Sequence, residues 1–392
     1  MITLEQAYSI INSIVFKLEA EQIGLSQSIG RILSTSIIAD IDQPPFNKSA
    51  MDGYACKRSD LSGLLSSIGV IAAGSDSMKP LLDGQCYRIF TGACVPEGAD
   101  CVIMQEDTQV ETSGKIKFLK ESTKTNICYQ GEDLKKGEIA LSEGTCIKPQ
   151  HLSIMASYGV VKPYVYKKLK VAVVCTGSEL VEPNMTPAGS QIRNSNAAQL
   201  LGQLVTANVD TVYMGIVKDN SNDLNNALLP LIGNFNIILV TGGASVGDFD
   251  LVPDAFNAIG ATRHFSALNI QPGKPILYAT QGNTHLIGLS GNPVSSFLQY
   301  LLVVAPLVAK LSGNSVVLPR VANATIANSL TRKKGNRQLF IPVKFNSNGL
   351  AESLPFNGSA HIGALATAQG FAVMDAETTE IKEMDNVKVI LF

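Results

Sequence analysis

The sequence contains no tryptophan, only four histidines and no pair of cysteines separated by two residues. Its seven cysteines form an odd set with few histidines nearby. This argues against zinc fingers, iron–sulfur clusters and a disulfide framework, and for reduced thiols in a cytoplasm. The amino-terminal stretch MITLEQAYSI lacks the basic and then apolar layout of a signal peptide. The longest apolar run, Phe297 to Ala309, is interrupted by Pro306 and is too short to span a bilayer, so we interpret it as a buried helix.

The chain also lacks a marked excess of either charge, since the net charge is -2 at pH 7 and 16% of the residues are charged. General attraction to nucleic acid or to an anionic membrane is therefore not expected, and any anion must be bound by local groups. With 392 residues, of which 45% are hydrophobic, the chain is too long for one ordinary core. Its length predicts roughly two to four domains.

The stretch from Phe235 to Ala309 carries the features that predict chemistry. The apolar run Ile237 to Val240 is typical of a buried strand, and it leads into a glycine loop, Thr241 to Gly247, and two acids, Asp248 and Asp250. Glycines let backbone N–H groups approach a ligand and a helix start favours anions, so this arrangement is typical of a phosphate site. The spacing matches neither GxGxxG nor GxxxxGK[ST], and a plain tight turn stays open as an alternative.

A second stretch of this kind, GNPVSSF, follows. Asn292 can cap a helix, Pro293 suits the first turn, and Ser295 and Ser296 place hydroxyls beside free amides. Between the two stretches, Lys274 lies in the short proline-bounded loop PGKP. Two anion-favouring helix starts, one lysine and a pair of carboxylates predict phosphate or oxyanion chemistry assisted by a metal.

Hydrophobic periodicity predicts the domain organisation. An amphipathic helix with a Thr3–Gln6 capping box runs to Leu18, short alternating segments follow, and regular strand and helix alternation begins at Lys170. The predicted fold is multidomain, with a central three-layer α/β domain that has a mainly parallel sheet. The domains are a discontinuous helical and linker domain (1–41 and 131–168), a β-rich domain (42–130), the α/β domain (169–315) and a small C-terminal all-β, barrel-like domain (316–392).

Several polar residues fall just after predicted strands of the α/β domain, at Glu179, Asp219, Asp248, Asp250 and Ser295. Ligands bind beyond the carboxyl ends of such strands, so we expect these residues to share one crevice. Clustered acids repel one another unless a cation offsets them, and oxygen ligands favour magnesium over zinc.

Three further features have ordinary structural alternatives. Asp52–Gly53 lies in a long polar loop and is also compatible with a hairpin turn, and the Thr91 hydroxyl can satisfy its own turn. The basic segment TRKKGNR is compatible with a solvated hairpin.

The motifs PPFNKSAMDGYA, RIFTGACVPEGAD, TGSEL, TGGASVGDFD, QPGKP, GLSGNPVSS, GNRQLF and NGSAHIGAL occur in this order from Pro44 to Leu365. The chain thereby resembles the molybdopterin molybdenumtransferase family, the molybdenum insertases that include the E domain of gephyrin. The resemblance implies a cytoplasmic homodimer of elongated four-domain subunits, with the active site in a cleft shared between the two chains. The discontinuous domain would serve dimerisation, and the α/β domain would be of the molybdopterin-binding type.

The reaction that the resemblance implies takes adenylylated molybdopterin and molybdate as substrates. It cleaves the pyrophosphate link with the help of Mg²⁺, releases AMP and yields molybdenum cofactor. The upstream adenylyltransferase and proteins that mature molybdoenzymes would be the protein partners, and neither nucleic acid nor a membrane is implied.

The family's site residues transfer by matching motif positions. The catalytic set would be Asp52, Thr91, Glu179, Asp219 and Asp250, of which Glu179, Asp219 and Asp250 would hold the magnesium. The molybdate set would be Lys274, Pro275, Ser295, Arg337 and Ser359. The nucleotide and pterin would lie against Thr176, Gly177, Gly242, Gly243, Ser245, Gly247, Gly291 and Asn292.

The sequence departs from the family pattern at two lysines. Members often carry lysine at the positions of Gln271 and Ala267, and we expect weaker anion binding without them unless Arg263, His264 or the Lys333–Lys334 pair compensates. Two alternative functions stay open, a molybdopterin adenylyltransferase and a scaffold that binds the cofactor precursor without turnover.

Overall fold

The computed structural model describes residues 1–16, 19–75, 79–243, 251–333 and 335–392. Its α-helices, numbered α1 to α7 along the chain, are Leu4–Asn12, Pro149–Ser157, Ser195–Thr206, Ser221–Leu228, Leu251–Ala258, Pro293–Gln299 and Ala305–Leu311.

The strands are numbered in the same way. Strands β1 to β11 are Ala20–Gln22, Ile37–Ile38, Lys48–Ser49, Gly53–Cys56, Leu64–Ile71, Gln85–Ile89, Cys101–Met104, Thr108–Val110, Ile116–Phe118, Ile127–Cys128 and Ile139–Leu141. Strands β12 to β21 are Tyr164–Tyr166, Lys170–Thr176, Leu180–Val181, Ile192–Arg193, Asp210–Val217, Ile237–Thr241, Thr262–Ala267, Ile270–Gln271, Pro275–Gln281 and Thr284–Leu289. Strands β22 to β28 are Val321–Thr325, Leu330–Thr331, Gln338–Phe345, Ala351–Ser353, Gly370–Met374, Glu380–Ile381 and Asn386–Leu391.

The chain forms two compact units. The first comprises Met1–Thr35, Glu143–Lys148 and Lys162–Phe392, and the second comprises Ser36–Ser142 and Pro149–Val161. The predicted discontinuous domain (1–41 and 131–168) is divided between the two units, and the boundaries of the four predicted domains stay a prediction.

The second unit is built on a six-stranded sheet in the order β7-β4-β6-β5-β9-β8. Gly53 begins β4, which pairs with both β6 and β7, while the preceding strand β3 pairs with β10. The alternative in which Asp52–Gly53 joins two paired strands as a hairpin turn is therefore wrong. A side chain at Gly53 has no room, because its Cβ would lie 1.9 Å from the Ile103 carbonyl oxygen.

The central sheet of the first unit confirms the predicted α/β architecture. Its strand order is β16-β13-β17-β21-β20-β18. The pairs among β16, β13, β17 and β21 are parallel, and β20 and β18 complete the sheet in antiparallel orientation. The innermost strands are apolar and buried over almost their whole length, as expected for a sheet covered on both faces.

Helices cover both faces of this sheet and give three layers. On one side, Leu200 and Leu204 of α3 pack in one cluster with Leu298 of α6 and Leu307 of α7. On the other side, the core contains Leu224 and Leu228 of α4 with Val252 and Phe256 of α5.

The helix that follows GNP is longer than the sequence indicated. It runs from Pro293 to Leu311 over 19 residues, because a π-helical turn at Tyr300–Val304 leads into α7 and Pro306 does not end it. Its length and composition alone would suit a membrane span, yet 72% of its apolar window is buried inside the chain. The prediction of a buried helix is confirmed.

The first helix is shorter than predicted. The Thr3–Gln6 capping box is present, but α1 ends at Asn12, with Ser13 as its C-cap. The predicted continuation through Ile14 is wrong, and Leu18 lies outside the described residues.

The carboxyl-terminal part forms the predicted all-β module. Its sheet has the order β19-β24-β26-β28-β22, and β25 pairs with β24. Strand β19 belongs to the α/β segment, and it pairs with β24 so that Ile270 lies opposite Gln338 and Gln271 opposite Leu339. This pairing places the PGKP loop beside Arg337.

Candidate functional site

A cavity of ≈ 440 Å³ opens at the carboxyl ends of the parallel strands. We call it the strand-end cavity. Its lining is Thr176, Glu179, Leu180, Ile192, Arg193, Asn194, Ser195, Asn196, Thr241, Gly242, Gly291, Asn292, Pro293, Ala360 and Ile362. Five residues that the sequence singled out, Thr176, Glu179, Gly242, Gly291 and Asn292, line this cavity. It lies where α/β sheets bind their ligands.

Glycines form part of its wall and of the adjoining loops. Gly242 has a φ of 101°, and a Cβ there would lie 2.0 Å from the Thr176 carbonyl oxygen. A Cβ on Gly177 would meet the Glu179 carboxylate at 2.9 Å, and one on Gly291 would lie 3.7 Å from the Gly242 Cα. The glycines of neighbouring loops thus let the backbones approach closely, as a bound phosphate requires.

Asn196 is a cavity residue that the sequence reasoning missed. Its Nδ2 donates to the Thr241 hydroxyl at 2.9 Å and to the Gly291 carbonyl at 2.8 Å, which ties two strand-end loops together. Its Oδ1 is buried and has no partner among the described residues. A buried polar atom without a partner is costly, so this oxygen suits a donor on a ligand. The signal available in the sequence was only the pattern NSN before a helix.

The predicted acidic set is divided. Glu179 lines the strand-end cavity. Asp219 lies behind that wall, where one carboxylate oxygen accepts from the Thr176 hydroxyl at 2.6 Å and the other from the Ser178 amide at 3.0 Å. Asp248 and Asp250 lie outside the described residues, as do Ser245 and Gly247 of the glycine loop.

The side chains of Glu179 and Asp219 offer only carboxylate oxygens as metal ligands. Among the residues that the structure describes, no group of three or more His, Cys, Asp or Glu side chains is placed to hold a metal. Carboxylate oxygens without nitrogen or sulfur donors suit a hard cation such as Mg²⁺.

A second cavity of ≈ 370 Å³ contains the complete predicted molybdate set. We call it the lysine–arginine cavity. It is lined by Gln271, Pro272, Gly273, Lys274, Pro275, Ser290, Asn292, Ser295, Arg337, Leu339, Phe356, Gly358 and Ser359. Asn292 also lines the strand-end cavity, so the two cavities are neighbours.

The second cavity is cationic. Lys274 and Arg337 line it, and in the described part of the chain neither forms a salt bridge. The Ser295 side chain lies at the buried start of α6, where the Val294 amide donates to the Ser359 carbonyl at 3.0 Å. Among the described residues, the cavity wall carries two cations and three serine hydroxyls, of Ser290, Ser295 and Ser359, and no carboxylate, which suits an oxyanion.

The helix start at GNP differs in one detail from its prediction. Asn292 occupies the N-cap, but its side chain forms no capping hydrogen bond, so that part of the prediction is wrong. The backbone N–H of Asn292 donates to the Ser290 hydroxyl at 3.2 Å.

In the basic segment TRKKGNR, Arg332 supports the backbone, and Arg337 is the candidate site residue. Arg332 donates to the carbonyls of Arg337 at 2.5 Å, Thr378 at 2.6 Å and Asp375 at 2.6 Å. Arg332 thereby holds the backbone of Arg337, and burial lowers the pKa of its guanidinium. Lys333 is exposed, and Lys334 lies outside the described residues.

Asp52 and Thr91 form a pair within the second unit. One carboxylate oxygen of Asp52 accepts from both the Thr91 amide and the Thr91 hydroxyl, each at 2.7 Å. The bonds from the Thr91 amide and hydroxyl, with a smaller contribution from the charge of Arg88, hold the pKa of Asp52 below its usual range. The Thr91 hydroxyl therefore satisfies Asp52, and this carboxylate is ionised at neutral pH.

Arg88 frames the pair. Its guanidinium donates to the Gly53 carbonyl at 2.9 Å and stacks over the rings of Tyr54 and Phe90, at 5.3 Å and 5.0 Å from their centroids. These contacts of the Arg88 cation help to fix the loops that carry Asp52 and Thr91.

Comparison with known families gives consistent matches along the chain. Residues 2–159 match the MoeA N-terminal region (domain I and II), residues 172–310 match a probable molybdopterin binding domain, and residues 323–392 match the MoeA C-terminal region (domain IV).

Two curated relatives with the same name match this chain over nearly its whole length. A Haemophilus influenzae protein named molybdopterin molybdenumtransferase is 32% identical over 397 residues, which cover 99% of this chain and 98% of the relative. A Staphylococcus aureus (strain Mu50) protein of the same name is 32% identical over 384 residues, covering 94% and 90%.

Solved structures agree. The molybdopterin biosynthesis moeA protein from Pyrococcus horikoshii OT3 is 26% identical with a TM-score of 0.84, and the match covers 100% of both chains. A molybdenum cofactor biosynthesis protein from Pyrococcus furiosus shares the fold with a TM-score of 0.64 at 20% identity over 100% of both chains.

Proposed function

The chain belongs to the molybdopterin molybdenumtransferase family, and we propose that it inserts molybdate into adenylylated molybdopterin with release of AMP. The enzyme acts in molybdenum cofactor biosynthesis. The observation that carries the proposal is the lysine–arginine cavity, in which Lys274, Pro275, Ser295, Arg337 and Ser359 meet although they come from four separate stretches of the chain.

Molybdate is a tetrahedral dianion and occupies the lysine–arginine cavity in this proposal. Lys274 supplies a point charge, Arg337 supplies directed donors, and the hydroxyls of Ser295 and Ser359 complete the ring of donors. Losing one charged donor costs a bound anion about 1.5–3 kcal/mol, which is roughly tenfold to a hundredfold in affinity.

The adenylylated pterin occupies the strand-end cavity. The glycines at positions 242 and 291 let its phosphates approach the backbone, and the free Asn196 oxygen accepts from a donor on the substrate. Because Asn292 lines both cavities, this placement brings the pterin dithiolene towards the bound molybdate. That proximity is the geometric requirement for transfer.

Glu179, Asp219 and Asp250 would hold Mg²⁺ at the strand-end cavity. The bound ion would offset negative charge on the pyrophosphate that is cleaved. The Thr176 hydroxyl and the Ser178 amide fix the carboxylate of Asp219, so its orientation does not depend on the ion.

Asp52 and Thr91 complete the catalytic set from the β-rich part of the chain. Asp52 is held ionised by Thr91, which makes it suited to orient a proton donor or a cation rather than to act as an acid. The active enzyme in this proposal is a cytoplasmic homodimer whose site lies in a cleft shared by both chains. Its partners would be the upstream adenylyltransferase and proteins that mature molybdoenzymes.

The test is turnover by the purified protein with defined substrates. We expect adenylylated molybdopterin, Mg²⁺ and molybdate to yield AMP and molybdenum cofactor. Consumption of ATP with free molybdopterin, without a need for molybdate, would instead show an adenylyltransferase. Tight binding of adenylylated molybdopterin without any release of AMP would show a scaffold.

A further inference from the structure

Gln299, at the carboxyl end of α6, is a fully buried amide that joins two loops of the lysine–arginine cavity. Its Oε1 accepts from the Ser290 amide at 2.8 Å. Its Nε2 donates to the carbonyls of Gly273 at 2.9 Å and of Pro275 at 2.6 Å. The side chain is 0% exposed. One residue therefore holds the backbone on both sides of Lys274 and the turn that precedes α6.

The local sequence does not call for a polar side chain at this position. The neighbours Leu298 and Tyr300 are buried in the main core of the first unit, and a leucine would satisfy the helix pattern equally well. Burying an amide is costly unless its hydrogen bonds are made, and here all of them go to loop backbone. The amide thus fixes loop geometry rather than filling volume.

Lys274 depends on this backbone support. Its own carbonyl accepts from the Leu268 amide at 2.9 Å, and its side chain is exposed. The preceding residue, Gly273, has a φ of 93°, and a Cβ there would lie 3.3 Å from the Gln299 Cγ. The backbone of the loop therefore packs closely against the Gln299 side chain. This contact and the two hydrogen bonds fix the backbone position from which the Lys274 side chain extends.

We propose that Gln299 is a positioning residue that sets the backbone on both sides of Lys274 for oxyanion binding in the lysine–arginine cavity. The identity of the oxyanion as molybdate rests on the proposed function. Gln299 touches no substrate, and its effect passes through Lys274.

A double-mutant cycle tests this coupling directly. Molybdate binding is measured by calorimetry for the native protein, Gln299→Met, Lys274→Ala and the double variant. Methionine keeps the volume and removes all the hydrogen bonds. We expect Gln299→Met to raise the molybdate Kd roughly tenfold in the native background and less than twofold in the Lys274→Ala background, because contacting residues are not additive. Full additivity would overturn the proposal.

Turnover separates positioning from loss of stability. Gln299→Met should raise the KM for molybdate while kcat and the KM for adenylylated molybdopterin stay within about threefold. The control is Tyr300→Phe, at the next position of the same buried helix. This change removes the hydrogen bond from the Tyr300 hydroxyl to the Gln203 carbonyl of α3 and leaves both cavity loops intact. An equal rise in both KM values, or the same change in Tyr300→Phe, would show a merely structural role.

A second variant keeps the test decisive if the methionine variant does not fold. Gln299→Leu also removes all the hydrogen bonds to Ser290, Gly273 and Pro275 without burying a charge, and leucine suits the helix pattern, so the same cycle can be measured. A native protein that binds molybdate but forms no cofactor would contradict the proposed function, and the binding cycle would still decide the role of Gln299. Native protein that binds no molybdate would overturn both.

Discussion

At the scale of single residues, Gln271 occupies a wall position of the lysine–arginine cavity where the family often has lysine. We predict that Gln271→Lys tightens molybdate binding roughly tenfold, because a third cation adds a charge-assisted bond. Calorimetry at fixed ionic strength measures the change. Gln27→Lys, which adds the same charge at an exposed site lining neither cavity, is the control and should leave the Kd unchanged. Equal affinities for the native protein and Gln271→Lys would contradict the prediction.

His285 carries a prediction about pH and stability. The ring is 4% exposed, its Nδ1 lies 2.9 Å from the Tyr278 hydroxyl, and burial, with a smaller contribution from His264, lowers its pKa to about 4. The unfolded chain binds a proton near pH 6.5 and the folded chain does not, so stability is lost as the pH falls from about 6.5 to 4. We expect a loss of about 3 kcal/mol over this window.

Urea unfolding at a series of pH values measures this loss, with His285→Gln as the comparison. Glutamine keeps a partner for the Tyr278 hydroxyl but does not titrate, so its slope between pH 6.5 and 4 should be smaller. The carboxylates with lowered pKa, Asp42, Asp52 and Asp83, act below this window, because their stabilisation is lost as the pH falls below 3.8. Identical slopes for the two proteins would refute the assignment.

The sequence predicted Lys274 and Arg337 as the cations of the lysine–arginine cavity. It did not predict the residues whose side chains hydrogen-bond to the backbone around them. Lys274 stands out in the sequence because its charge lies in a short proline-bounded loop, whereas Arg337 was identified only through the family resemblance. Gln299 and Asn196 donate to backbone carbonyls that are distant in sequence, and Arg332 combines its bond to the Arg337 carbonyl with bonds to the distant carbonyls of Thr378 and Asp375. No local pattern specifies such bonds, since the acceptor carries no side-chain signature.

At the scale of elements, Gly53 sets how closely the central strands of the second unit approach. We predict that Gly53→Ala lowers the free energy of unfolding by at least about 2 kcal/mol, because the added Cβ would lie 1.9 Å from the Ile103 carbonyl and must push β7 away. AMP release should fall as well, since Asp52 adjoins this glycine. Urea unfolding followed by circular dichroism measures the first effect.

The matched control lies in the same unit. A Cβ on Gly63 would make only an ordinary contact, 3.6 Å from the Asp60 carbonyl, so Gly63→Ala should change stability by less than about 0.5 kcal/mol. Equal stability of the two variants would show that the β4–β7 spacing tolerates a methyl group.

Element type was more predictable than element length. After Lys170, apolar segments are separated by turns that contain glycine or asparagine. This pattern identified the strands and helices of the α/β domain. The helix ends were not predictable where tertiary packing decides. The buried helix from Pro293 to Leu311 passes through Pro306 without ending. In contrast, α1 ends at Asn12 although apolar residues continue at helical spacing beyond it. The strand β19, only two residues long, gave no signal in the sequence although it pairs with β24 of the carboxyl-terminal module.

At the scale of the whole molecule, a chain with a net charge of -2 binds anions only through locally arranged cations. The lysine–arginine cavity and the strand-end cavity both lie in the first unit, and the Asp52–Thr91 pair lies in the second. The proposed reaction needs both sets of residues. Both sets come from motif positions of the family, among whose motifs SAMDGYA and GASVGD are highly specific, and their arrangement in a shared cleft of a homodimer is likewise implied only by the family.

The most direct test of the central claim is release of AMP and formation of molybdenum cofactor from adenylylated molybdopterin with Mg²⁺, measured with and without molybdate. The native protein is compared with Asp52→Ala and Lys274→Ala. We predict molybdate-dependent release by the native protein and its loss in both variants, which would assign one reaction to residues from both units. Release that does not depend on molybdate, or that persists in both variants, would contradict the account.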